Sequence, residues 1–431
     1  MIKKIKSIRN PFLIFLPFLL ILILYALLNP TSGNGDEHRY LTFAHNLING
    51  FYSPPPPNIN LTNGPGYPII LTPFVALKLP LIYITLLNPF CYYFSIIFLF
   101  KALKQVVSYK ITLLFSFLWA CYYIAYQNIV FVMSEPLTYL LISVLIYSLV
   151  RAFQPGKASI IRKYIILSGF IFGYIVLTKI AFIYVLITML FGSIFLWILH
   201  TRETNYRKLV AVNSIALITI LPYLVYAYFL TGEMFYWNTN TGDSLYWNST
   251  PFSNEYGDWK DDLTQGPPDL SNYNIPGAQD TLIAHHQKDF DIINQYSGRK
   301  RDDAFKQIAI HNIKSHPLKF LQNCFYNAGR LLFHYPFSQA IQRPKILLVF
   351  PMNGIILTLT LFSLIPTFLN WRKISLPLKF LLIFTFLYLG MSTLVSALVR
   401  MFTIIVPILI FWFAYIFEKS VKINLRFKDH L

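Results

Sequence analysis

The feature that most constrains this chain is a succession of apolar runs, each close to the roughly 20 residues a helix needs to cross a bilayer. Ten stand out, at about 11–29, 80–100, 111–129, 136–150, 164–178, 180–199, 209–230, 346–369, 380–399 and 401–417. Those at 136–150 and 164–178 are short, so they extend into their flanks or tilt little. Only 13% of the 431 residues are charged, about half the roughly 25% of a soluble domain. The apolar excess needs lipid to cover it. The expected fold is therefore all-α and polytopic, with about ten transmembrane helices. The first run is long for a secretory leader and lacks a small-residue cleavage site, so it is kept as the first helix.

A net charge of +18 would suit a nucleic-acid binder, but its distribution excludes that class. With ten crossings both termini share one side. Taken as cytoplasmic, that side holds 21 of the 36 Lys and Arg residues and only three acids, Glu203, Glu418 and Asp429. Its basic residues include Lys3, Lys4, Lys6, Arg9, Lys101, Arg151, Lys208, Arg372, Lys422, Arg426 and Lys428. Short Lys/Arg-rich cytoplasmic loops fix orientation in this way. Cys91, Cys121 and Cys324 match neither a disulfide framework nor a ligand spacing, and are read as packing residues.

The chain divides into residues 1–230, with helices one to seven and a first outer loop at 30–79; an outer region at 231–345; and residues 346–431, with the last three helices and a basic tail. In the first loop Tyr40, Leu41, Ala44, Leu47 and Ile48 mark one face of a short helix that Gly50 stops. Between two spans, such a helix is expected to lie flat on the outer surface. Four prolines, 54–57, and the turn Asn63-Gly64-Pro65-Gly66-Tyr67-Pro68 follow. The larger region is irregular to about Pro276 and then helical over about 278–297, Asp302 to Asn312 and Pro317 to Phe333. It reads as a cap over the outer face.

Asp36 and Glu37 begin the surface helix, where an acid suits the N-cap and the helix dipole. They also stand beside Arg39 and Tyr40. A carboxylate next to a guanidinium can serve as a base while the guanidinium holds a phosphate. Lys179 and Arg400 each interrupt a long apolar stretch at the outer turn of a hairpin, and Glu135 lies at the outer end of a middle helix. Such residues either mark a wetted turn or do chemistry. With Lys78 they place four cations (Arg39, Lys78, Lys179, Arg400) and three carboxylates (Asp36, Glu37, Glu135) at one depth, an arrangement suited to an anionic lipid headgroup. His285-His286 has only Asp289 within helical reach and reads as a solvated loop pair. No cofactor is assigned; a divalent cation is compatible with the sequence but not indicated.

Gly35-Asp36-Glu37-His38-Arg39-Tyr40, followed by Ala44, Leu47 and Gly50, resembles the first outer loop of the GT-C glycosyltransferases, in particular the protein O-mannosyltransferase-like (family 39) group and the lipid A aminoarabinose transferases. Further segments agree in order: Gly64 to Pro68, Ser134-Glu135-Pro136-Leu137, Thr241 to Asn248, Ala309 to Phe320, and Arg400 with Pro407. The resemblance implies a GT-C-like fold with outer-face juxtamembrane helices. It implies an enzyme that takes a sugar from a polyprenyl-phosphate donor and passes it, with inversion, to a lipid, glycan or protein acceptor. Asp36 would be the general base, with Glu37 beside it. Arg39, joined by Lys78, Lys179 and Arg400, would bind the donor phosphate; Tyr40 and Glu135 would support them. The setting implied is the cytoplasmic membrane of a bacterium, in cell-envelope glycan assembly, with the site extracytoplasmic. The aminoarabinose transferases carry a Glu-Lys pair before the Pro-rich turn where this chain has Thr62-Asn63, so no sugar is carried over.

The alternative is a polysaccharide polymerase or ligase, or a flippase or transporter of lipid-linked glycans. A transporter should show broken helices and charges near the bilayer midplane, whereas these charges sit at the outer boundary. Polymerases and ligases would place their key residues in later loops.

Overall fold

The computed structural model describes residues 10–260, 275–339, 345–395 and 397–420. These form sixteen α-helices and no strand: α1 (Pro11–Leu28), α2 (Asp36–Ile48), α3 (Gly66–Ala76), α4 (Leu81–Leu103), α5 (Tyr109–Ala120), α6 (Glu135–Phe153), α7 (Ala158–Thr178), α8 (Phe182–Leu199), α9 (Thr204–Thr231), α10 (Thr241–Asn248), α11 (Ala278–Ile293), α12 (Gly298–Ser315), α13 (Pro317–Phe333), α14 (Lys345–Leu369), α15 (Leu376–Leu394) and α16 (Val399–Ser420). The basic residues at 3, 4, 6, 9, 422, 426 and 428 lie outside the described residues.

Eight of these helices, α4, α6–α9 and α14–α16, are long and apolar enough to cross a membrane. The runs that looked short at 136–150 and 164–178 extend into their flanks, as helices of 19 and 21 residues. Helix α1 has 18 residues, apolar along its whole length. The run at 111–129 is not one helix. It breaks after the 12 residues of α5, which at 1.5 Å each reach only about 18 Å of a roughly 30 Å apolar layer. A 3-10 segment, Tyr123–Asn128, continues it.

Irregular backbone at such depth survives only inside protein, where its polar groups find partners. Here they do. The Asn88 amide of α4 donates to the carbonyls of Ile129 and Phe131 (2.9 and 2.8 Å), and the Tyr92 hydroxyl donates to Trp119 O (2.6 Å). Ile124, Ala125, Ile129 and Val132 are buried. Cys121 is exposed at the break, so it is not the packing residue expected from the absence of a disulfide or ligand spacing.

The main core lies among α1, α4, α5, α6 and α16, and α7 packs α6 to a second layer of α8 and α9. Gly169 and Gly173 let α7 and α9 meet closely: a Cβ there would come within 2.7 Å of Val212 O and Ala216 O respectively. Small residues four apart serve this purpose where no hydrophobic force drives helices together.

The cap is more ordered than its sequence indicated. Helices α11–α13 fall where expected, and a short α10 stands in the stretch read as irregular. Tyr246, Trp247, Phe290, Ile293, Phe305 and Ala309 form its own small core. Helix α13 buries its polar side, Asn323, Asn327 and Arg330, and leaves Leu318, Leu321 and Phe325 exposed.

Candidate functional site

Helix α2 packs its apolar face on protein. Tyr40, Phe43 and Ala44 are buried, and Tyr40 meets Tyr67 of α3 edge to face at 5.0 Å. The Tyr40 and Ser134 hydroxyls are 3.0 Å apart. Glu37 is buried, and both its oxygens are engaged: Thr31 donates to one (2.5 Å) and the Val132 N–H to the other (2.6 Å). This carboxylate ties the start of α2 to the segment that leads into α6.

The N-cap of α2 is Gly35, at φ 61°, and no side chain bonds the free backbone N–H groups there. Asp36 is the first helical residue and its carboxylate points elsewhere. One oxygen accepts from Arg39, one turn on, and the other from Arg400 at 2.7 Å. Helix dipoles favour Asp36 and Glu135 at the starts of α2 and α6, and Lys179 just past the end of α7. They disfavour Arg400 in the first turn of α16, and Asp36 and Glu135 offset that cost.

Behind this pair, the buried Glu135 accepts from Lys179 at 2.8 Å, with Arg400 Nε 3.8 Å from the same oxygen. The glycines of the first loop explain how Lys179 is placed. A Cβ on Gly64 would lie 2.1 Å from Leu177 O, and one on Gly66 would lie 2.6 Å from Thr178 Oγ1. The turn thus presses directly on the end of α7, and Tyr174 donates to Gly66 O at 2.7 Å.

Five predicted residues, Asp36, Arg39, Glu135, Lys179 and Arg400, therefore form one chain of ion pairs at one end of the bundle, with Tyr40 and Glu37 beside it. Lys78, exposed after α3 at φ 52°, joins no ion pair among the described residues. Burial acts to raise the Asp36 carboxyl, but the guanidiniums of Arg400 and Arg39 outweigh it and hold the group below its ordinary value. Arg39 Nε, Glu135 Oε2 and the Tyr67 hydroxyl are buried here without a hydrogen-bond partner among the described residues. Such atoms ask for an explanation, and an added acceptor or donor would satisfy them.

A second cluster was misread from the sequence. His285 and His286 are not a solvated pair: His286 is 2% exposed, and both rings meet Glu255, a residue 30 positions away. Sequence separation concealed this partner.

No family model matches the chain, and no curated protein matches it. Among solved structures it is similar, at 10% identity and a TM-score of 0.41, to ArnT from Cupriavidus metallidurans bound to undecaprenyl phosphate, over 91% of this chain and 77% of that one. A likeness at that level carries no weight for function, which rests on the chain's own residues.

Proposed function

We propose that this chain is a membrane glycosyltransferase of the GT-C type. It takes a sugar from a polyprenyl-phosphate donor at the extracytoplasmic face and passes it, with inversion, to an acceptor. What supports this most is the Asp36 carboxylate held between Arg39 and Arg400, partly open to solvent, with Lys179 and Glu135 behind it. On this reading both termini are cytoplasmic, in keeping with the basic loops.

The acceptor hydroxyl or amine attacks the anomeric carbon. Asp36 takes its proton, the bond from that carbon to the phosphate oxygen breaks, and the electron pair leaves with the polyprenyl phosphate. A phosphate with a second pKa near about 6 leaves without a strong acid, so cations that stabilise its charge suffice. Arg39 and Arg400 supply them, and Lys179 adds positive charge from behind while Glu135 keeps it in place. An incoming phosphate competes with Asp36 for the two guanidiniums. Losing them returns the carboxylate toward its ordinary basicity, so donor binding itself readies the base. Glu37, with both oxygens engaged, positions α2.

The test is Asp36→Asn in the purified protein, reconstituted in liposomes with polyprenyl-phosphate-linked hexoses and pentoses. Transfer should fall about 10²–10⁴-fold, the usual worth of a general base, while donor binding and folded yield are kept. Wild-type-like transfer would sink the mechanism. A collapse in folded yield would assign Asp36 a structural role.

A further inference from the structure

The cap contains a second carboxylate held between two nitrogen ligands. The Tyr246 hydroxyl donates to Asp289 at 2.9 Å and lies 2.6 Å from His286 Nδ1, while the other ring nitrogen, Nε2, stands 2.9 Å from Glu255 Oε2. Histidine ligands to metals ordinarily hold their other nitrogen against such an outer partner, which fixes the tautomer.

The remaining geometry favours a metal. His285 Nδ1 lies 2.7 Å from Glu255 Oε1, and the three ligand atoms fall within 4.8 Å of one another. Phe252 stacks on His285 at 3.7 Å and 8°, which fixes that ring as well. Thr250 donates to Glu255 Oε2 and steadies the carboxylate, while Lys319 holds the backbone carbonyl of the same residue at 2.6 Å. We propose that Glu255, His285 and His286 form a zinc-class divalent-metal site. Two imidazoles and one carboxylate suit zinc, with ligand bonds of about 2.0–2.2 Å. Donors of a tetrahedral ion stand roughly 3.3 Å apart at those lengths, so each ring moves outward by a few tenths of an ångström to admit it.

The ion clasps α11 to the segment after α10. That segment is bound in turn to α13: Asn323 donates to Asn248 O and Thr250 O, and Asn327 donates to Asn248 Oδ1. Asn248 and Asn327 also hold the carbonyls of Leu394 and Val395, both at 2.8 Å, just ahead of Arg400. The site is thus a staple for the cap, tied by hydrogen bonds to the approach of α16.

The experiment uses the full chain in detergent, stripped with a chelator, dialysed into metal-free buffer and given zinc chloride. About one zinc per chain should survive desalting and raise the unfolding temperature. Glu255→Gln and His285→Gln should each weaken retention at least tenfold and abolish the thermal shift. Should those variants fail to fold, cobalt chloride on the wild type gives a second readout: a strong visible band marks a low-coordinate site of nitrogen and oxygen ligands. Retention no better than in the variants, or only the weak spectrum of hydrated cobalt, overturns the proposal.

Discussion

Asp36 and Glu255 are both carboxylates gripped by two nitrogen bases, and they differ in what those bases can become. Asp36 is held by guanidiniums, which never give up their charge, on side chains that are 41% and 27% exposed. Another anion can take them over, so the grip is exchangeable. Glu255 is held by imidazoles, one of them deeply buried, which can shed a proton and turn a lone pair inward. That grip suits a cation. On the two proposals, the same carboxylate chemistry would bind an anion in one place and a metal in the other, and the choice lies in the partner.

The largest expected effect breaks the first grip. Arg400→Gln should lower kcat/KM for the polyprenyl-phosphate donor by about 10²–10³-fold, the scale for removing one donor to developing charge. It should also move the acid limb of the kcat/KM–pH profile upward. Asp36 sits below its ordinary value of 3.8 because Arg400 and Arg39 offset its burial, so losing a guanidinium raises it. The stability linked to Asp36 follows the same sign. It is complete above pH 3.8, is lost as pH falls through the lower folded value, and in the variant is lost at higher pH. An unmoved acid limb would mean that another group limits the rate.

Next comes the pair behind the grip. Glu135→Gln leaves the half-buried Lys179 without its charge partner and should cost about 3 kcal/mol, the low end for breaking a buried pair. The double variant Glu135→Gln with Lys179→Met should recover most of it by thermal unfolding. Recovery of transfer as well would show that Lys179 serves structure alone. Smaller still, Gly66→Ala forces the first-loop turn off Thr178 and should cost about 1–3 kcal/mol. Gly156→Ala, where a Cβ meets nothing within 4 Å, should stay within about 0.5 kcal/mol.

The spans were legible because lipid demands length and apolarity, and both are written locally. The break after Ala120 was not. No Gly or Pro marks it, and the groups that make it tolerable, the side chains of Asn88 and Tyr92, belong to another helix. Helix α10 is eight residues long, too short to display a period. At the site, charge in or beside an apolar stretch gave away Lys179, Arg400 and Glu135, and an acidic pair beside an arginine gave away Asp36 and Arg39. It could not separate them from Lys78, since composition carries depth but no direction. The case for Asp36 as a base came from its neighbours rather than from the residue itself, and in the structure the N-cap of α2 is Gly35. His285 and His286 were visible, but the residue that gives them meaning arrives from 30 positions away.

Helix α13 turns its amides and Arg330 toward the protein and shows Leu318, Leu321 and Phe325 to the outside. Such a helix behaves like a float at a waterline: it cannot sink into the hydrocarbon or rise from it without exposing the wrong face. If this face meets the bilayer surface, as the proposed topology requires, the hold of Asn327 on Val395 O carries the level of that surface to the guanidinium of Arg400. A headgroup anchored by its own lipid tail would meet it at a level fixed in advance.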